Sequence, residues 1–206
     1  LHGLSLGEFF WNFAQAQNYD FAANQAKAGQ VSVVSDRLGC GSSDKPEENS
    51  ICVGSRADIA HQIAQVAANS FGDIDGLIVI GYADRVQSQL RKDNAAYAAQ
   101  VCASGGLRVI GGAGLAGYAP FGPPEGAAAA LFDSVEPAVQ SAAVQLLTID
   151  PCGDTASFAA AVAVDLVNVP SIDVPVLIIA GGSDALFPVP AGPAQASLST
   201  GAASVD

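Results

Sequence analysis

Gly3-Leu4-Ser5-Leu6-Gly7 places a serine with a glycine two residues to either side. This Gly-x-Ser-x-Gly spacing suits a nucleophile held on a strained strand-to-helix turn, where only small neighbours fit. A serine in that position attacks a carbonyl once a histidine takes its proton. The turn has to follow a strand, and Leu1 and His2 alone stand before it. The two histidines are His2 and His61. His61 lies well off the helical face marked by Ile59, Ile63 and Val66, so it is expected on the solvent side.

Gly112-Ala113-Gly114-Leu115-Ala116-Gly117 has the Gly-x-Gly-x-x-Gly spacing of a dinucleotide-binding turn. The turn should open a helix, but Pro120, Pro123 and Pro124 follow, so no nucleotide cofactor is expected and the stretch reads as a flexible segment, with a nucleotide-dependent oxidoreductase ranked last among the functions. Glu47-Glu48 and the acids at 73–75 read as solvated loop charges, with no carboxylate pair spaced for glycosidase chemistry. Four cysteines, Cys40, Cys52, Cys102 and Cys152, allow three pairings as two disulfides. Cys40 and Cys52 bracket a polar loop, which favours that pair together with Cys102–Cys152; four buried thiols are the alternative. No Cys-x-x-Cys or His-rich spacing points to a metal.

These side chains need elements to hold them. Residues 19–29 read as a helix stopped by Gly29, and residues 31–36 as a strand running into a polar loop at 37–50. Ser55 with Asp58 three residues on reads as a helix cap. Residues 76–81 and 174–180 are continuous apolar runs, as in parallel strands covered on both faces. Between them, residues 82–170 are rich in Ala, Gly and Pro, with helical runs at 95–102 and 135–147 and a hinge at 119–126, and read as a helical insertion. Beyond Pro188 the chain is small and polar, expected to fray without a further strand.

In this order the stretches resemble the α/β-hydrolase family. Leu1-His2-Gly3 is similar to its His-Gly turn, and residues 34–43 to a strand ending in Asp-Arg-x-Gly-x-Gly-x-Ser. Residues 57–63 resemble the helix before the elbow strand, and residues 71–82 the strand after the elbow helix. Residues 175–187 resemble a late strand whose following turn carries the triad acid. The likeness is greatest to secreted esterase-like members. It implies a three-layer α/β/α fold with a mostly parallel sheet, with core at residues 1–81 and 171–206 and a helical lid at 82–170. It also implies a secreted serine hydrolase of an ester or related acyl bond, with a small ester-like substrate and no cofactor or metal.

By the same resemblance Asp184 is the triad acid, which fixes the tautomer of the catalytic histidine and stabilises its imidazolium. His2, Gly3 and Leu4 would form the oxyanion-hole region, where one backbone donor contributes ~3 kcal/mol. Ser5 is then a loop residue beside the site, or the attacker if the turn is the elbow. Phe10, Trp11 and Tyr82 would line an acyl pocket, with ordinary core aromatics as the other reading.

Three pieces of the family pattern are missing, the first strands among them. Segments like 60–65 and 67–76 should be separated by a strand and the elbow, yet here they abut; Gly54-Ser55-Arg56-Ala57-Asp58 offers Arg56 where the nucleophile belongs. No histidine follows Asp184. Together with a start at Leu1 and the absence of methionine, this leads us to expect either a fragment or a leader-processed chain, with a deleted, non-catalytic hydrolase as the alternative.

Composition narrows the partners. Half of the chain is apolar and 14% is charged, which argues for a packed core. A net charge of −12 opposes binding to nucleic acid or to anionic membrane surfaces. No uninterrupted apolar run approaches the ~20 residues of a membrane span.

Overall fold

The computed structural model describes residues 1–16, 18–47, 50–71, 75–107 and 116–206, with backbone alone at 61 and 64–71. The side chain of His61, Glu48, Asp73 and residues 112–115 of the glycine motif lie outside the described residues. In chain order the elements are α1 (Phe21–Lys27), α2 (Val53–Phe71), β1 (Leu77–Ile80), α3 (Gln89–Ala103), β2 (Tyr118–Ala119), α4 (Ala127–Leu131), α5 (Pro137–Gln145), β3 (Asp150–Pro151), α6 (Cys152–Asn168), β4 (Val176–Ile179) and α7 (Ala191–Ala196). The chain divides into two compact units, Leu1–Ile51 with Asn94–Thr155, and Cys52–Asp93 with Ala156–Asp206.

The expected three-layer fold is not what forms. Among the described residues there are four short strands in two two-stranded sheets, and helices dominate. The run at 31–36 forms no strand, and Val31 and Val33 are 86% and 73% exposed. Alternating apolar residues favour an extended chain, but a strand exists only where a neighbour takes its backbone hydrogen bonds.

In the first unit, α1 starts because the Asp20 carboxylate accepts from the Ala23 N–H at 2.8 Å. It ends where Gly29 turns left-handed (φ +82°) and the Gln30 N–H reaches back to the Gln25 carbonyl at 2.9 Å. β2 and β3 pair antiparallel, Tyr118 opposite Pro151 and Ala119 opposite Asp150. Tyr118 is fully buried and its hydroxyl donates to the Pro46 carbonyl at 2.6 Å. A disulfide joins Cys102 to Cys152 across 50 residues of chain, and Ala98, Ala119 and these two cysteines pack together. Cys40 and Cys52 are thiols, so the second expected disulfide is not formed. Cys40 packs instead on a carboxylate, with Sγ 3.3 Å from Asp150 Oδ1.

In the second unit, β1 and β4 pair in parallel, Leu77 opposite Val176 through Ile80 opposite Ile179. The end of the chain does not fray. The Val176 and Ile178 N–H groups donate to the Ser204 and Asp206 carbonyls, which adds a short third rung beside β4. The register puts Ile78, Ile80, Leu177 and Ile179 on one face, and all four are exposed, Ile78 by 60%. The apolar runs therefore form parallel strands without the covering layer expected on both faces. α2 begins at Val53, two residues before the expected cap. Ser55 serves the first turn from within: its Oγ accepts from the Cys52 N–H and donates to the Cys52 carbonyl, both at 2.9 Å. Ala83, Phe187 and Ala191 form the core here, with Tyr82, Val86 and Leu186 against it.

One described stretch, Cys152–Ser171, is long and apolar enough by length and composition to cross a membrane. It carries Asp154 and Asp165.

Candidate functional site

Ser5 sits at the centre of a polar knot in the first unit. Its φ of +54° is left-handed, which a non-glycine residue adopts only under constraint. The constraint is visible at every polar atom. Its N–H donates to Asp150 Oδ2 at 2.6 Å, and its carbonyl accepts from the Thr148 N–H at 2.9 Å. Its Oγ accepts from the Phe121 N–H at 2.7 Å and donates to Asp150 Oδ2 at 3.4 Å. Thr148 closes the knot with a hydroxyl bond to the Leu6 carbonyl at 2.9 Å.

Asp150 is buried and shared. The Arg37 guanidinium donates to Asp150 Oδ1 at 2.7 Å and to the Gly3 carbonyl at 3.0 Å, and it stands 3.9 Å from the buried Asp154. The same carboxylate thus binds the Arg37 guanidinium through Oδ1 and the Ser5 N–H and hydroxyl through Oδ2.

His2 is no base for Ser5. Its ring is buried, Nδ1 donates to the Gly3 carbonyl at 2.9 Å, and Nε2 accepts the Arg37 N–H at 3.0 Å. Burial above all holds its pKa below the ordinary histidine value. Leu4 shares the turn with Ser5, and Gly3 contributes a carbonyl that accepts from His2 and Arg37.

Phe10 and Trp11 lie in the same unit, in an aromatic row. Trp11 meets Phe10 edge-on at 4.7 Å between centroids and Phe21 at 5.5 Å. Phe10 and Phe21 are exposed.

Asp184 and Tyr82 belong to the second unit, at the carboxyl ends of β4 and β1, where open parallel sheets hold their ligands. Asp184 Oδ1 accepts the N–H groups of Leu186 and Phe187, both at 2.8 Å. Oδ2 lies over Gly81, 3.7 Å from where a Cβ would sit. Tyr82 packs on Phe187 at 5.6 Å, and its hydroxyl donates to Asp84 Oδ1 at 2.8 Å. Burial, then that bond, pushes the phenol pKa far up. The buried Asp84 also accepts from Gln195 Nε2 at 2.9 Å and gives its N–H to Gln195 Oε1 at 2.8 Å. Burial raises Asp165, and the Asp84 charge adds to this. Arg91 stacks on the Phe158 ring at 4.5 Å.

The expected site residues thus fall in two groups, His2 to Ser5 with Phe10 and Trp11 in one unit, and Tyr82 with Asp184 in the other. Sequence reasoning missed Asp150, Asp154, Asp84 and Gln195. Asp150-Pro151-Cys152-Gly153-Asp154, with two acids flanking a cysteine in an apolar neighbourhood, carried the signal for the first pair. Nothing in the sequence tied Asp84 to Gln195, 111 residues away. Among the described residues no three His, Cys, Asp or Glu side chains gather as a metal site.

No protein-family model matches the chain, and no curated protein matches it at a significant level. The disulfide fits an oxidising compartment.

Proposed function

We propose that this chain is a non-catalytic relative of secreted serine hydrolases, a protein that carries the orienting acid of such a site without a working serine–histidine pair. The observation that carries the reading is the engagement of Ser5 and His2. The Ser5 hydroxyl accepts a backbone N–H and leans on an arginine-paired carboxylate, and both His2 nitrogens are bonded to backbone. A nucleophile needs a neutral imidazole nitrogen facing its hydroxyl. Here the hydroxyl and the ring hold the turns together instead.

The catalytic reading, a serine hydrolase of an ester or related acyl bond, is favoured by one observation, the setting of Asp184. One carboxylate oxygen is fixed by two backbone donors and the other is left toward Gly81, which is how an acid that orients a histidine is held. On that reading the serine and histidine act from outside the described residues.

Turnover of short-chain p-nitrophenyl esters separates the two. The non-catalytic reading predicts a rate no greater than that of Asp184→Asn or of buffer. Turnover that saturates with substrate and falls in Asp184→Asn supports the second reading and overturns the first.

A further inference from the structure

His2 stands between two possible hydrogen bonds. Nε2 accepts the Arg37 N–H at 3.0 Å, and the same atom lies 3.9 Å from Asp36 Oδ1. The Asp36 carboxylate organises the loop that follows it: Oδ1 accepts the Glu8 N–H and Oδ2 the Ser42 N–H, each at 2.7 Å. The Ser43 hydroxyl adds a bond to the Asp36 carbonyl at 2.8 Å, and Lys45 ties the carbonyls of Gly41 and Ser43. Gly41 lies so close to Asp36 that a Cβ there would collide with the carboxylate. The loop therefore depends on where that carboxylate points.

A protonated imidazole has two donors and no acceptor. A proton taken from solvent by Nε2 breaks its bond with the Arg37 N–H and makes it a donor 3.9 Å from Asp36, a gap that closes by a small rotation of either group. We infer that His2 is a pH-operated latch on residues 36–43: the neutral ring holds the loop at Arg37, and the protonated ring releases Arg37 and draws Asp36 away from its backbone donors. The charged groups facing the ring are the Arg37 guanidinium, which opposes protonation, and the Asp36 and Asp150 carboxylates, which favour it. Arg37 is also the cation that pairs with Asp150, so release of its N–H reaches the polar knot around Ser5.

The test is nuclear magnetic resonance on the full chain. The His2 ring nitrogens and the exchange of the Arg37 and Ser42 amides are followed from pH 7.5 to 4.5, in wild type and in His2→Gln. The expected result is one midpoint, below the ~6.5 of an unperturbed histidine, shared by the ring and both amides. Amide protection, corrected for intrinsic exchange, should fall by about tenfold or more across it, and His2→Gln should abolish that step. The latch is overturned by a ring that stays neutral throughout, by a ring that titrates while both amides keep their protection, or by the same step in His2→Gln. The wild-type ring and amide curves decide the matter even where His2→Gln does not fold.

Discussion

Replacing Arg37 by methionine keeps an apolar stem of similar reach and removes the guanidinium. What remains is Asp150, whose Oδ1 loses a donor at 2.7 Å, and Asp154, which loses a cation at 3.9 Å. The side chains involved are 14%, 5% and 2% exposed in the order Arg37, Asp150, Asp154, so water does not replace the lost partner. Removing one member of a buried ion pair costs about 3–5 kcal/mol. With a urea dependence of about 2 kcal/mol per molar, this lowers the midpoint by roughly 2 M. Trp11 is the sole tryptophan and belongs to the same unit, so its fluorescence reads that unit directly. A midpoint shift below about 0.5 M in urea would refute the view that Arg37 neutralises this pair.

Ser5→Ala removes the hydroxyl that accepts the Phe121 N–H and should cost about 1–3 kcal/mol in a denaturation series. Ser5→Gly loses the same bond but relieves the left-handed backbone, so it should be the milder of the two; the reverse order would mean the hydroxyl is not what pins the turn. Reducing the Cys102–Cys152 bridge should lower stability by about 2–5 kcal/mol, seen as a lower midpoint with reductant, and equal midpoints would show that the bridge is idle. The depressed His2 pKa means the unfolded chain binds more protons over the window between the two values. Stability should therefore be intact above the unfolded value and decline as pH falls from it through the folded one. His2→Gln should flatten that slope, and an unchanged slope would assign it to other groups.

How far the sequence could be read depended on whether the deciding interaction was local. α1 was legible because its stop, Gly29, acts within a few residues; its cap, Asp20, was not read. β1 and β4 were legible as strands because the apolar runs at 76–81 and 174–180 are short for helices; they do pair in parallel, but without the cover on both faces from which that was expected. The stretch at 31–36, where serines interrupt the valines, joins no ladder among the described residues, since pairing is a property of the neighbour. The sheet was overestimated for that reason: a resemblance in apolar pattern does not supply ladder partners. Cys40 was assigned to Cys52 by nearness in sequence, whereas its contact is Asp150, 110 residues on. The glycine-flanked serine was conspicuous, but its role rests on Phe121, Thr148 and Asp150, and no spacing rule near residue 5 contains them.

Whether the Ser5 hydroxyl can be made to react is the sharpest question. Incubation of the native chain with a fluorophosphonate, followed by intact mass and peptide mapping, answers it. The engaged hydroxyl predicts an unshifted mass at every pH between 5 and 9, and a stoichiometric phosphonyl adduct on Ser5 would contradict the account.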